Sequence, residues 1–307
     1  GNGKAGERKE NVSRLPRGSM QPLRVSIPAT LPAHNTKHLQ SLDYHFLSRH
    51  FLLIQRQDTA LTGTTLWLAA QSLSAYLATI HKSIPPSRHT RPRVLELGSG
   101  IGLVAFVLLS LFYLLFLEIS SLVMHSLRWD VLATDTAHTV SSVLASNVAS
   151  NSLTPSSNDG IIQVRELDWL VPPESWDWTN PMAVASLNTS ASGSGTHPIS
   201  SIPTLRPPFD LIISSDTIYT VELVQPLLRA LHTAATASGS PPVYLGIERR
   251  DSAVIDYALS EAESVWGFTV TRIGYGRVSK AMEKGGLKWK KEDWDGVEIW
   301  RLKLKNV

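Results

Sequence analysis

Hydrophobic positions change their period several times along the 307-residue chain, and each change marks an element. From Thr64 to Ile80, Leu66, Ala69, Ala70, Leu73 and Leu77 recur at helical spacing; Thr62 and Gly63 precede the run, and Pro85 and Pro86 halt it. A helix leading into the core is expected there. Short apolar runs follow, at Arg93 to Leu97, Asp130 to Thr134, Ile161 to Leu167, Phe209 to Ser214 and Val243 to Ile247, each with the length of a buried strand. Helical patterns at Val140 to Asn151 and Val221 to Thr236 lie between them. Such alternation predicts an α/β fold, a doubly wound, mostly parallel sheet with helices on both faces. Two further strands, Thr269 to Tyr275 and Val297 to Leu304, flank a stretch that reads as a loop, so an antiparallel hairpin is expected to close a seven-stranded sheet. Leu23 to Ile27 and Phe51 to Gln55 also alternate and are candidates for a short hairpin of their own.

Three stretches depart from this pattern. Residues 1–38 are polar, basic and broken by Pro16, Pro22, Pro28 and Pro32, a composition that buries too little to offset chain entropy; a mostly mobile arm is expected, with the folded domain over 39–307. Within 172–208, Leu187 to Thr204 is rich in Ser, Thr, Gly and Pro and reads as a mobile loop without chemistry. Ile101 to Met124 is almost uniformly apolar and approaches the length of a membrane span, roughly 18 residues or more. Spanning is disfavoured, because it would put neighbouring strands on opposite sides of a bilayer. An insertion near 106–127 is the preferred reading, with untranslated sequence carried into the gene model as one origin for it.

Composition then limits the chemistry. A hydrophobic share of 43% and a charged share of 18% describe a globular protein, and a net charge of +3 is too weak to argue direct nucleic-acid binding. With no cysteine there is no disulfide, thiolate metal site or cysteine nucleophile, and the ten histidines show no close ligand spacing, so no metal is expected. An intracellular monomer, cytoplasmic or nuclear, fits this composition.

The candidate chemistry lies at the strand ends. Val94-Leu95-Glu96-Leu97-Gly98-Ser99-Gly100-Ile101-Gly102 is a buried strand entering a glycine turn and then a helix, where backbone approaches a ligand closely and free N–H groups face it. A dinucleotide fingerprint would need its third glycine at Leu103 and is not met. Glu96, two residues before the first glycine, suits a ligand with an ammonium group and ribose hydroxyls. Asp135, at the tip of the next strand, can accept from two vicinal ribose hydroxyls or simply cap a helix. It follows Gly98 by 37 residues where about 20 is usual, which is why the apolar segment looks like surplus length. Asp168 and Trp169 end a third strand, where a carboxylate can take an adenine amino group and an indole can pack on its ring, or Trp169 can pack on its own sheet. Asp216 and Tyr219 stand just past the fourth strand, where open α/β sheets place ligands.

Gly63-Thr64-Thr65-Leu66-Trp67, Glu96 to Gly102, Thr134-Asp135, Asp168-Trp169 and Ser214-Ser215-Asp216 to Tyr219 together resemble the motif series of the seven-β-strand protein-lysine methyltransferases, over approximately Leu39 to Leu304. The resemblance implies a Rossmann-like fold and S-adenosyl-L-methionine as cofactor. It implies that Trp67, the turn Gly98, Ser99 and Gly100, Asp135, Trp169 and Ser215 contact that cofactor, and that Asp216 and Tyr219 face the acceptor. The expected partner is a protein bearing the target lysine. Departures are Leu68 where an Asp often follows the tryptophan, the overlong helix after the turn, and the extended 172–208 loop.

Methyl transfer is an in-line displacement, so the protein must align donor and acceptor and free the acceptor lone pair. Lysine, with an ordinary pKa of about 10.4, loses its proton more readily in an apolar aromatic slot, for which Tyr219 supplies a wall while Asp216 orients the amine. Both residues also admit plain structural roles, Asp216 as a cap for the helix beginning near Val221. Glu248-Arg249-Arg250 is a candidate substrate guide or a solvated run, and Lys280 to Asp295 a basic, aromatic lid or a solvated hairpin loop. Other readings are a methyltransferase for histidine or a small amine, a catalytically silent cofactor-binding or scaffold protein, and a membrane-associated protein.

Overall fold

The computed structural model describes residues 1, 30–47, 49–57, 62–84, 89–110, 129–151, 160–187 and 203–305. An eight-stranded sheet forms its centre, in the order β6 (Ala183–Ala185), β5 (Ile162–Leu167), β4 (Asp130–Asp135), β3 (Arg93–Leu97), β7 (Leu211–Ser215), β8 (Val243–Glu248), β10 (Val297–Leu304) and β9 (Phe268–Arg272). The six strands from β6 to β8 pair in parallel, and β10 runs antiparallel to β8 and β9. Buried on both faces, the central strands are mostly apolar: Val94, Leu95, Leu97, Val131, Leu132, Leu211, Ile212 and Ile213 are fully buried, and Glu96 is the buried acid among them. The order in which the chain adds strands switches sides between β3 and β7, the place where such sheets open a ligand crevice beyond their carboxyl ends.

One face packs against α1 (Leu68–Ile80), α2 (Leu103–Ser110), α4 (Ala145–Asn151), α7 (Tyr275–Lys284) and the β1–β2 hairpin; the other against α5 (Val221–Ala237) and α6 (Ser252–Ser264). The first helical turn after β4, α3 (Ala137–Thr139), runs through a widened π turn, Val140–Leu144, into α4. Uniform apolarity at the start of α2 has a plain cause: Leu103 to Leu108 are buried all round, and Phe106 stacks on Phe51 with ring centroids 5.6 Å apart. Phe106, where the insertion was expected to begin, is thus part of a packed helix. Residues 111–128 lie outside the described residues. No helix among the described residues is long and apolar enough to cross a membrane.

Several expectations are corrected. The sheet has eight strands rather than seven, because part of the 172–208 insert contributes β6. Arg165, fully buried on β5, fixes that segment by donating to the carbonyls of Trp178 (2.9 Å), Asn180 (3.2 Å) and Leu205, while Trp176 and Trp178 pack onto the second core. A periodic polar loop gives no hint of one buried guanidinium holding three carbonyls. Residues 188–202 of the insert lie outside the described residues. Between β9 and β10 stands a helix, α7, not a loop: Val278, Ala281 and Met282 at helical spacing seat it against α1, and Trp294 beyond it is buried, stacked on Tyr275. The hairpin is β1 (Ser41–Phe46) with β2 (Arg49–Ile54); the strand expected at Leu23 to Ile27 lies outside the described residues.

Candidate active site

The site starts from the glycine turn after β3. Gly98 (φ 70°) and Gly100 (φ 55°) occupy the left-handed region that disfavours side chains. Space is as restrictive as conformation: a Cβ on Gly98 would lie 2.6 Å from Thr217 Cγ2 and 3.3 Å from the Trp169 ring, and one on Gly100 would lie 3.2 Å from the Gly63 carbonyl. Asp135 at the tip of β4 clamps the turn, its carboxylate accepting from Gly100 N–H at 2.9 Å and Thr136 N–H at 2.8 Å. Its deep setting raises its pKa, and those two N–H groups pull the other way.

Around the turn lies a cleft of about 180 Å³, lined by Trp67, Gly98, Gly100, Asp135, Asp168, Trp169, Ser215, Asp216 and Tyr219. Nine of the eleven sequence-derived residues thus meet on one surface. It is tighter than the roughly 300–1,000 Å³ of usual small-molecule clefts, since Trp169 leans across the turn. Trp169 is held through its backbone, whose carbonyl accepts from Arg229 at 2.7 Å, while its buried indole N–H has no partner among the described residues. Asp168 folds its carboxylate onto the N–H of Leu170 at 2.9 Å, shaping the loop beside it.

Glu96 and Ser99 sit elsewhere. Glu96 is 1% exposed beneath the turn, and neither carboxylate oxygen has a hydrogen-bond partner among the described residues. Burial pushes its pKa up to about 8, against the pull of the nearby Ser99 hydroxyl and Ala105 backbone and with a smaller push from Asp135. Ser99 braces the turn against β4, its hydroxyl accepting from Thr134 N–H at 3.1 Å and its own N–H donating to the Thr134 carbonyl at 2.9 Å.

Asp216 has a double attachment that spacing alone does not reveal. One oxygen accepts from Ala69 N–H at 3.0 Å, capping α1 rather than the helix after Val221; the other accepts from Glu248 N–H at 3.1 Å and faces Arg250 at 3.4 Å. Its φ of 55° is unusual outside glycine, and such backbone persists where its surroundings over-determine it. Burial pushes its pKa up to about 6, with Arg250 the chief opposing influence. Tyr219, 42% exposed, forms the outer wall of the cleft.

Sequence reading did not single out Gly63, Thr136, Thr139 or Thr217 as cleft residues, although Gly63 and Thr217 stand within quoted motifs. The Glu248 to Arg250 run splits: Arg249 is a structural partner of Glu298 and Asp256, whereas Arg250 stands 4.1 Å from the Trp67 ring centroid beside Asp216. Away from the cleft, the hairpin brings Asp43, His45 and His50 within 4.8 Å of one another, a convergence of possible metal ligands that becomes visible only once strands pair.

Comparison with known proteins bears on this geometry. Residues 47–180 match the lysine methyltransferase family. The matched stretch holds Trp67, the glycine turn, Asp135, Asp168 and Trp169, and brings with it S-adenosylmethionine as the cofactor; Asp216 and Tyr219 lie beyond it. No curated protein matches the chain. Solved structures with a similar fold include a protein from Streptococcus mutans assigned as an S-adenosylmethionine-dependent methyltransferase (9% identity, 86% of this chain, 56% of that one, TM-score 0.45). Others are a methyltransferase from Pyrococcus furiosus (14%, 83%, 90%, 0.40) and human N-acetylserotonin methyltransferase in complex with S-adenosylmethionine (12%, 77%, 55%, 0.36). The chain spans little more than half the length of the Streptococcus protein.

Proposed function

We propose that this chain transfers a methyl group from S-adenosylmethionine to a lysine side chain of a protein substrate. One observation carries the reading: a single cleft at the carboxyl ends of β3, β4, β5 and β7 has a nucleoside-suited end at Asp135 and Trp169 and an acceptor-suited end at Asp216 and Tyr219. The residues present fit the cofactor. Asp135 accepts from the N–H groups of Gly100 and Thr136 and, at 3.4 Å, from the Thr136 hydroxyl, which leaves carboxylate capacity for a ribose diol; Trp169 offers a ring and an N–H without a partner among the described residues, and the glycine turn admits close backbone contact.

When bound, the cofactor supplies an electrophilic methyl carbon on a sulfonium. The chain's own part is alignment: two strand tips fix one end of the reaction axis while the clamped Asp216 fixes the other. Held at 3% side-chain exposure with its oxygens pinned by Ala69, Glu248 and Arg250, Asp216 can orient an incoming amine without swinging away. Tyr219 presents an exposed ring against the acceptor's aliphatic stem and keeps water from its nitrogen.

Incubating the full chain with methyl-labelled cofactor and a cell lysate, then mapping label by mass spectrometry, tests the reading. Label on protein lysines, lost in Asp135→Ala, is expected. Label on histidine or a small amine moves the assignment to another acceptor, and saturable cofactor binding with no transfer makes the chain a silent binder.

A further inference from the structure

The last residues of the stretch read as a mobile arm are seated on the domain. Two buried glutamines hold them: Gln71 accepts from Ala33 N–H at 2.8 Å and donates to the Leu31 carbonyl at 2.9 Å, and Gln55 donates to the carbonyls of Thr36 (3.0 Å) and Leu39 (2.9 Å). Between these four anchors lies Lys37. Its ammonium nitrogen stands 3.7 Å from the centroid of the Trp67 ring, the ring that walls the cleft and also carries Arg250. Among the described residues it forms no ion pair, although Asp216 and Glu248 are close enough to act on its charge.

We propose that Lys37 is a methyl acceptor of this chain's own active site, modified in cis. This rests on the proposed function. The amine, on the backbone-pinned 31–39 segment, packs on the ring of Trp67, which itself lines the cleft together with Asp216 and Tyr219, so a short side-chain movement separates it from the acceptor end. Burial and the neighbouring Arg250 both lower the pKa of Lys37, which favours the neutral amine. In the step, the Nζ lone pair forms a bond to the methyl carbon as the carbon–sulfur bond breaks. The sulfonium takes that electron pair and becomes a neutral thioether, and the methylated nitrogen releases a proton to water.

The test uses the purified full chain and methyl-labelled S-adenosylmethionine with no other substrate. Peptide mapping should place the label on Lys37, at a rate per molecule that does not change on dilution, and Lys37→Arg should abolish it while its circular dichroism matches the unsubstituted chain. Three results overturn the inference: Lys37 unlabelled while the same preparation labels lysate lysines, label confined to other lysines of the chain, or a rate that falls with dilution. Each leaves the proposed function standing. Absence of both self-label and lysate label sinks the proposed function, and the inference with it.

Discussion

Glu96→Gln isolates the least expected feature of the site. The substitution keeps size and removes ionisation from a carboxyl that is buried with neither oxygen bonded among the described residues. Burial raises its pKa from 4.5 to about 8, so the folded state holds a proton that the unfolded chain gives up. For an acid raised in this way, the full stability is present below the unfolded value and declines as pH rises, levelling off above the folded value. Between those limits the decline is about 1.4 kcal/mol per pH unit, which brings the loss to about 3 kcal/mol at neutral pH. Glu96→Gln lacks this decline. Any fixed cost of burying an amide is the same at every pH, and the titrating groups that do not interact with Glu96 cancel in the comparison, so the pH slope is the diagnostic. Urea unfolding of both proteins from about pH 5 to about pH 8 should show the variant gaining on the parent by on the order of 3 kcal/mol across the range. Parallel stability curves would mean that Glu96 is charged and compensated, and would refute the reasoning.

Two further outcomes follow from the geometry. Asp216→Ala removes a cap from α1 and a partner from Glu248 N–H, so it should lower stability by about 0.5–2 kcal/mol as well as abolish turnover, read by thermal melts and by transfer to lysate acceptors; full activity would refute the acceptor role, and an unchanged melting temperature the capping role. Cofactor binding should move the Trp169 ring off the glycine turn, so titration with S-adenosylmethionine should change tryptophan emission in the parent and much less in Trp169→Phe; equal changes in both would place the ligand elsewhere.

How far the sequence reached depends on the range of the contacts involved. The parallel core was legible because strands buried on both faces need predominantly apolar runs, as in Val131 to Ala133 and Leu211 to Ile213. The turn at Gly98 and Gly100 was legible because positive φ selects glycine. Periodicity failed where a single long-range contact sets the structure. Arg165 orders part of a polar insert, and α7 reads as a basic loop because only Val278, Ala281 and Met282 face α1. Site residues on strand tips were placed by their position in the α/β repeat, which is why Asp135, Asp168 and Ser215 reach one cleft. Glu96 lies buried beneath the turn and does not line the cleft surface, a placement that its spacing from Gly98 alone does not give. The attachment of Asp216 to α1 joins residues 147 apart, and the seat of Lys37 depends on Gln71, a contact across 38 residues for Ala33; neither leaves a local trace.

Calorimetric titration of the chain with S-adenosylmethionine tests most directly whether the strand tips form a cofactor site. Saturable binding at one site per chain is expected, weakened about 10- to 100-fold in Asp135→Ala by loss of charge-assisted hydrogen bonds to the ribose, with the fold retained by circular dichroism. No binding, or binding equally tight in Asp135→Ala, would contradict it.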